Sequence, residues 1–221
     1  MTVLLLARHG ETDWNHERRW QGHADRPLTP RGAEQAHLLA ARLVGTELDA
    51  IYASDLRRAR DTGAVVARAL DVPLETLAEL REVDVGSWSG LTRAEGAARF
   101  PEAFARWERG EIGWEDGETY EEMSERVLAA VRAIAARHPT GRVLVVTHAG
   151  PIRAIHAAAL GLDVHAYRRM RPVEPNARLS AVCFENGGLT ELCSAGRLDE
   201  LLERDQEARR KAASRPPTPA G

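Results

Sequence analysis

Residues 3–12 have the sequence Val-Leu-Leu-Leu-Ala-Arg-His-Gly-Glu-Thr, in which an apolar segment runs directly into an Arg-His-Gly turn. Five consecutive apolar residues bounded by charge and glycine predict a buried strand. Arg8 and His9 should then emerge at the carboxyl end of this strand, with His9 facing solvent. In open α/β sheets this edge is where ligands bind, so His9 is a candidate for chemistry.

A second histidine occurs in the same arrangement later in the chain. The β-branched segment at residues 142–147 leads into His148-Ala149-Gly150, and an apolar helix is predicted from Ile152 to Leu160. Two histidines at matching strand ends are harder to explain as ordinary solvated residues than one. We therefore interpret them as parts of one site.

A third short strand is predicted over Leu48–Ser54, and it is followed by arginines at positions 57, 58 and 60. The alternation of strands and helices favours parallel neighbours. Parallel strands would bring His9, His148 and the inward-facing arginine nearest the third strand end into one cleft. At least one of the three arginines should instead belong to a solvated helix face.

The composition favours one cytoplasmic α/β domain. With 221 residues, of which 43% are hydrophobic, the chain can bury one sizeable core. The formal net charge of −3 and the lack of a basic stripe argue against nucleic acid as a partner. The first apolar run is too short for a signal peptide, and no run reaches the roughly 20 residues that cross a bilayer. We expect a domain over residues 1–207 and a disordered tail over residues 208–221.

Other elements are predicted from local signals. Thr29 and Pro30 provide the N-cap and first turn of a helix that should end near Leu43. Further helices are expected over residues 55–70 and 120–137. Cys183 and Cys193 flank a predicted hairpin at residues 186–188, and in a reducing cytosol both are expected as thiols.

The candidate residues suit phosphoryl transfer. Arginine matches phosphate oxygens, and a neutral imidazole can attack phosphorus to form a covalent intermediate. The chain has no Gly-x-x-x-x-Gly-Lys loop, no His-Glu-x-x-His pair and no Gly-x-Ser-x-Gly elbow, so other phosphate-binding, zinc and serine-nucleophile sites are disfavoured. A proton donor for the leaving alkoxide is also needed. Glu79, Glu82 and Asp84 are all candidates on spacing alone.

Taken together, the motifs resemble those of the histidine phosphatase superfamily, also called the phosphoglycerate mutase-like family. The matching segments are Arg8–Thr12 with Trp14-Asn15, Ser54–Thr62, Leu80–Glu82 with Gly86-x-Trp88-x-Gly90, and Thr147–Gly150. They occur in the family's order over roughly residues 1 to 195. The resemblance implies a three-layer α/β/α sandwich with a mostly parallel central sheet, and no metal or organic cofactor.

The resemblance also implies roles for individual residues. His9 would be the phosphorylated nucleophile and Glu82 the acid and then the base. Arg8, Arg58 and His148 would form the phosphate pocket. Asn15 and the backbone amide of Ala149 would add contacts to the same phosphate, and Gln21 and Gly22 would line the substrate side. Thr12 is a further candidate for substrate binding.

The family leaves the reaction open between a phosphatase, a phosphoglycerate mutase and a non-catalytic protein that binds a phosphorylated ligand. We examined the lid segment, defined here as residues 91–118, because a mutase must hold a second phosphoryl group there. Between Leu91 and Asp116 four arginines face six carboxylates, and four aromatic residues are present. An apolar cover over an alcohol is the more natural interpretation, which predicts a phosphatase of small phosphomonoesters. The oligomeric state stays open, with a homodimer as one alternative.

The tryptophans provide a separate hypothesis. All five, at positions 14, 20, 88, 107 and 114, precede the His148 strand. We expect at least two of them to line the mouth of the phosphate cleft. For Trp107, three residues after Phe104 on a predicted helix, a place in the core is an equal alternative.

Overall fold

Strand β1 (Thr2–Arg8) lies inside a six-stranded sheet in the computed structural model, which describes residues 1–191, 198, 202, 203 and 207. The other strands are β2 (Ala50–Ser54), β3 (Leu74–Leu77), β4 (Arg142–Thr147), β5 (Leu179–Glu185) and β6 (Gly188–Glu191). Their order across the described sheet is β3-β2-β4-β1-β5-β6. The first four in this order run parallel to one another, whereas β5 pairs antiparallel with β1 and with β6.

Helices cover both faces of the sheet. They are α1 (Asp13–His16), α2 (Pro30–Leu43), α3 (Arg57–Leu70), α4 (Arg93–Arg99), α5 (Pro101–Glu108), α6 (Tyr120–Arg137), α7 (Ala149–Ala159) and α8 (Val164–Met170). Side chains alternate between the faces of a strand. In β1, Leu5 packs with residues of α2 and α3, and Leu4 packs with residues of α6 and α7. The expected three-layer α/β/α sandwich with a mostly parallel sheet is therefore confirmed.

The predicted helices are found, with shifts at some ends. Helices α2 and α6 have the predicted bounds, and the Thr29 hydroxyl accepts from the Gly32 amide as an N-cap. Helix α3 begins at Arg57 rather than at position 55, because Leu56 has an extended backbone. Helix α7 begins at Ala149, three residues before the predicted start, so that His148 is its N-cap residue.

The hairpin of β5 and β6 is present, and Asn186 and Gly187 at its turn both have positive φ. Cys183 is buried on β5, whereas Cys193 lies outside the described residues, as does the predicted tail over residues 208–221. Among the helices described, none has the length and apolar character needed to cross a membrane.

Candidate active site

Three neighbouring parallel strands end at the same edge of the sheet and position the predicted residues. His9 follows β1, His148 follows β4, and Arg58 lies in the first turn of α3 after β2. The two histidines are held close because the His9 amide donates to the Thr147 carbonyl over 2.9 Å. Their ring centroids are 5.1 Å apart.

His9 has one ring nitrogen fixed by the backbone. Its Nδ1 lies 2.7 Å from the Gly10 carbonyl oxygen, which can only accept, so Nδ1 carries the proton and Nε2 has the lone pair. Burial, and then the charges of Arg58 and Arg8, lower the pKa of His9 well below its ordinary value. The expectation that His9 faces solvent is wrong: the residue is only 2% exposed, because the turn is covered by its neighbours. The ring is therefore a neutral, desolvated imidazole.

His148 has the opposite tautomer. The Nε of Arg58 donates to His148 Nδ1 over 3.2 Å, so the proton of the neutral ring is on Nε2. Burial and the same arginine lower the pKa of His148 well below its ordinary value. Nε2 is buried and has no partner among the described residues. An incoming phosphoryl oxygen would supply the acceptor that this N–H lacks.

Arg58 is the inward-facing arginine of the three that follow β2. It is 1% exposed and donates to the carbonyls of Ala24 and Gly22, whereas Arg57 and Arg60 are exposed and pair with Asp61. Burial lowers the pKa of Arg58 to about 10, which still leaves it charged at neutral pH. Arg8 is held by a 2.7 Å hydrogen bond to the Glu174 carbonyl. Two buried guanidinium groups thus flank the histidines.

Of the three candidate carboxylates, Glu82 is the one that the fold brings to the cleft. Its Oε1 accepts from the amides of Val83 and Gly150, each over 3.0 Å. Glu79 is exposed, and Asp84 binds the Gly86 amide away from the cleft. A Cβ at position 150 would overlap the Glu82 carboxylate, so the absence of a side chain there lets the carboxylate reach the Gly150 amide.

The remaining predicted residues surround the same space. Asn15, Gln21, Gly22 and Ala149 line the cleft. Thr12 is fully buried behind them, where its hydroxyl caps α1 and donates to Gln21 Oε1 over 3.0 Å. The structure therefore gives Thr12 a position that supports the cleft residues and does not line the cleft.

Sequence reasoning missed residues that come from distant parts of the chain. Asn176 donates to the His9 carbonyl and to Asn15 Oδ1, and Arg126 on α6 donates to the Glu82 carbonyl. Arg153 and Arg168 line the cleft from α7 and α8. A signal existed for Arg153, since it lies four residues after Ala149 on the same helix face. No local pattern marks the others.

The cleft has a volume of about 600 Å³, and both aromatic residues and arginines line it. Four tryptophans line it, at positions 14, 20, 107 and 114, so the expectation of at least two is confirmed. Trp107 lies on the cleft and also packs against the edge of the core. Trp88 is in the core at 1% exposure and contacts Trp20, with ring centroids 4.7 Å apart.

Comparison with known proteins agrees with this geometry. The family model described as histidine phosphatase superfamily (branch 1) matches residues 4–194. Phosphoserine phosphatase 1 of Hydrogenobacter thermophilus is 36% identical over 169 residues, which cover 76% of this chain and 80% of that protein. The metal-independent phosphoserine phosphatase of Arabidopsis thaliana is 38% identical over 161 residues, covering 71% of this chain and 68% of that one. The solved structure of Bacillus stearothermophilus YhfR is 33% identical, with a TM-score of 0.82 over 88% of this chain and 96% of that chain. This chain therefore belongs to branch 1 of the histidine phosphatase superfamily.

Proposed function

We propose that this protein hydrolyses small phosphomonoesters in two steps through a phosphohistidine at His9, with Glu82 as general acid and then general base. The observation that carries the proposal is the pair of neutral imidazoles with opposite tautomers beside two buried arginines. One ring offers a lone pair on Nε2, and the other offers an N–H donor. Nucleophilic attack on a phosphoryl group needs both, together with positive charge for the phosphoryl oxygens.

In the first step the His9 Nε2 lone pair forms a bond to phosphorus, and the bond from phosphorus to the ester oxygen breaks. Glu82 transfers its proton to the departing oxygen, which leaves as an alcohol. Backbone amides occupy Glu82 Oε1, and among the described residues the one amide near Oε2 is that of Gly150, 3.3 Å away. Oε2 is therefore the oxygen from which the proton is given. Arg8, Arg58 and the His148 Nε2–H stabilise the phosphoryl oxygens.

In the second step water attacks the phosphorus of phosphohistidine. Glu82, now a carboxylate, takes a proton from this water. The nitrogen–phosphorus bond breaks, inorganic phosphate leaves, and His9 returns to its neutral form. Asn176 and Thr147 hold the backbone of His9 on both sides, so that the ring stays in place through both steps.

The lid segment supports hydrolysis over the mutase alternative. Three of its four arginines pair with its own carboxylates, Arg93 with Glu108, Arg106 with Glu115 and Arg109 with Glu111. Such neutralised arginines are poorly suited to retain a bisphosphate between two half-reactions. If the protein were a mutase, 3-phosphoglycerate would be isomerised and 2,3-bisphosphoglycerate would stimulate the reaction.

The test is to trap the intermediate. Wild-type protein quenched during turnover of a ³²P-labelled phosphomonoester should carry phosphate that is acid-labile and base-stable, as expected for phosphohistidine. His9→Ala should carry none and should lose nearly all turnover, while a variant of the exposed His37, His37→Ala, should behave as wild type. A base-labile, acid-stable adduct would point to a carboxylate or hydroxyl nucleophile and would refute the assignment.

The role of Glu82 has its own test. 4-Nitrophenolate is a good leaving group that needs little protonation, whereas an alkyl alkoxide needs a proton. Glu82→Gln should therefore lose far more activity on alkyl phosphates than in the first turnover of 4-nitrophenyl phosphate. An equal loss of activity on both kinds of substrate would show that Glu82 is not the general acid.

A further inference from the structure

The outer part of the cleft contains more positive charge than the phosphoryl group requires. Seven arginines line the cleft, whereas Glu82 is the only carboxylate that does so among the described residues. Arg8 and Arg58 lie beside the histidines. Arg19 and Arg93 are paired with carboxylates of their own surroundings, and Arg18 is exposed to solvent. Arg153 and Arg168 have no carboxylate within ion-pair distance in the part of the chain that the structure describes.

These two arginines are neighbours held in defined positions. Arg153 donates from one terminal nitrogen to the Arg171 carbonyl over 3.2 Å, and its Nε is buried with no partner among the described residues. The guanidinium of Arg168 lies over the ring of Tyr120, 3.8 Å from its centroid, and one of its terminal nitrogens is likewise buried with no partner in the described part of the chain. Both side chains are only partly exposed. Oriented donors without acceptors next to a cleft are the features of a built anion site.

The charges of this pair act on each other and on the residues of the phosphate pocket. Burial and the charge of Arg168 lower the pKa of Arg153, and Glu82 acts on it in the opposite direction. Arg153 in turn lowers the pKa of Arg8. Two cations that destabilise each other in a partly buried wall gain from an anion bound between them.

We propose that Arg153 and Arg168 form a second anion subsite, which binds a carboxylate or phosphoryl group on the alcohol side of the substrate. This inference rests on the proposed function, since it assigns the substrate class of the same cleft. It makes the preferred substrates phosphomonoesters with a second negative group close to the ester. Simple alkyl phosphates would fill the phosphate pocket and leave the two guanidinium groups unpaired.

Matched substrates test the subsite. In the first pair, 3-phosphoglycerate has a carboxylate where glycerol 3-phosphate has a hydroxymethyl group. In the second pair, glucose 1,6-bisphosphate has one phosphoryl group more than glucose 6-phosphate. For each pair we would measure the ratio of kcat/KM in wild type, Arg153→Gln, Arg168→Gln and the control Arg169→Gln. Arg169 is the exposed next residue on α8 and does not line the cleft. Wild type should prefer the doubly anionic member of at least one pair by about tenfold or more, as for one charge-assisted hydrogen bond.

Both substrates of a pair are measured with the same variant, so a general loss of activity cancels in their kcat/KM ratio. The ratio therefore reports only the preference for the second anionic group. The subsite is supported if Arg153→Gln and Arg168→Gln lose the preference while their kcat/KM for the singly anionic substrate changes little. Arg169→Gln should keep the wild-type preference. The pair that responds would identify the group as carboxylate or phosphoryl. Absence of any preference in wild type, or equal loss on both members of each pair, would overturn the proposal.

A second measurement keeps this test independent of turnover. In the His9→Ala background, which lacks the nucleophile, the dissociation constants of the four compounds should show the same preferences and the same losses. If wild type hydrolyses none of the compounds but these binding ratios hold, the hydrolytic function fails and the subsite stands. If hydrolysis is normal but the ratios are flat, only the subsite fails.

Discussion

At the scale of single residues, the two histidines differ through the partner of each Nδ1. A carbonyl oxygen faces Nδ1 of His9, and an arginine N–H faces Nδ1 of His148. Because one partner can only accept and the other can only donate, the two rings are fixed as different tautomers. The same side chain type thus provides a nucleophile at one strand end and a donor at the next.

Both rings are kept neutral in the folded state, which makes stability depend on pH. Their folded pKa values lie well below about 6.5, the value in the unfolded chain. As the pH falls below 6.5, the unfolded state takes up protons that the folded state excludes, so the free energy of unfolding should decrease. Each ring contributes at most about 1.4 kcal/mol per pH unit. Buried His156, whose pKa is also lowered, adds to the same trend.

The measurement is denaturant unfolding at pH 7 and pH 5. Wild type should lose more stability between these values than His9→Gln/His148→Gln, while His37→Gln, at an exposed position, should match wild type. The carboxylates contribute equally to all three proteins and cancel in the comparison. The same loss in the double variant would mean that the two rings are not held neutral.

At the scale of elements, the catalytic turn packs directly on the start of α2. A Cβ on Gly32 would overlap the Glu11 carbonyl oxygen, and a Cβ on Gly10 would overlap the Gly32 carbonyl oxygen. The backbone segment that contains His9 can approach this closely only because both positions are glycine. The Thr29 amide also donates to the Glu11 carbonyl over 2.9 Å across the same contact.

Gly32→Ala should therefore destabilise the protein, although glycine to alanine inside a helix normally stabilises by about 1 kcal/mol. We expect a loss of about 1–3 kcal/mol from overpacking, together with lower kcat because the His9 turn must shift. Thermal unfolding and turnover would be compared with those of Gly188→Ala. At position 188 a Cβ makes one ordinary contact, at 3.8 Å, so little should change. Unchanged kcat in Gly32→Ala would show that the contact does not position His9.

The lid segment and α1 provide an optical signal of ligand binding. Trp107 lines the cleft, and its Nε1 is buried. Orthovanadate should change the intrinsic fluorescence saturably, and Trp107→Phe should reduce the amplitude while the dissociation constant stays within about twofold. Trp88→Phe, in the core, is the control. Complete inhibition without any change in emission would separate the tryptophans from the site.

The elements show what could be predicted from sequence. Strand β1 and helices α2 and α6 have strong periodicity and caps, so their existence and bounds followed from local pattern. The identity of the proton donor did not follow from local pattern. Three carboxylates lie within six residues, and only the contact with Gly150 distinguishes Glu82. Arg168 likewise reaches the cleft through tertiary packing on Tyr120, for which no sequence spacing exists.

At the scale of the whole molecule, the cleft is formed where consecutive parallel strands end together. This placement was predictable, since strand–helix alternation leaves few arrangements of the sheet. The positive charge of the cleft could not be predicted in this way. The lid segment alone suggested an apolar cover, but the arginines of the outer wall come from separate parts of the chain, Arg18, Arg19 and Arg93 before β4 and Arg153 and Arg168 after it. Net charge and local counts do not report which side chains converge.

Because guanidinium groups supply the positive charge around the phosphoryl group, hydrolysis should need no divalent cation. We expect turnover in excess EDTA to equal turnover without it, and added Mg²⁺ to change kcat by less than about twofold, since a single phosphomonoester needs no metal bridge here. The control is a metal-dependent phosphatase in the same buffer. Loss of activity in EDTA that Mg²⁺ or Zn²⁺ restores would contradict the proposed chemistry.

The position of β1 has a consequence for how the protein is made. Among the described strands β1 is synthesised first, and it lies between β4 and β5, where Leu4 pairs with both Val143 and Val182. At about 5–20 residues per second, β1 waits roughly ten to forty seconds for its second neighbour. During that time the nascent chain has an apolar strand with an open edge, which is prone to association with other chains. Asn176 also reaches His9 only after β4 has been made, so the active site should be completed after the strands that carry its two histidines.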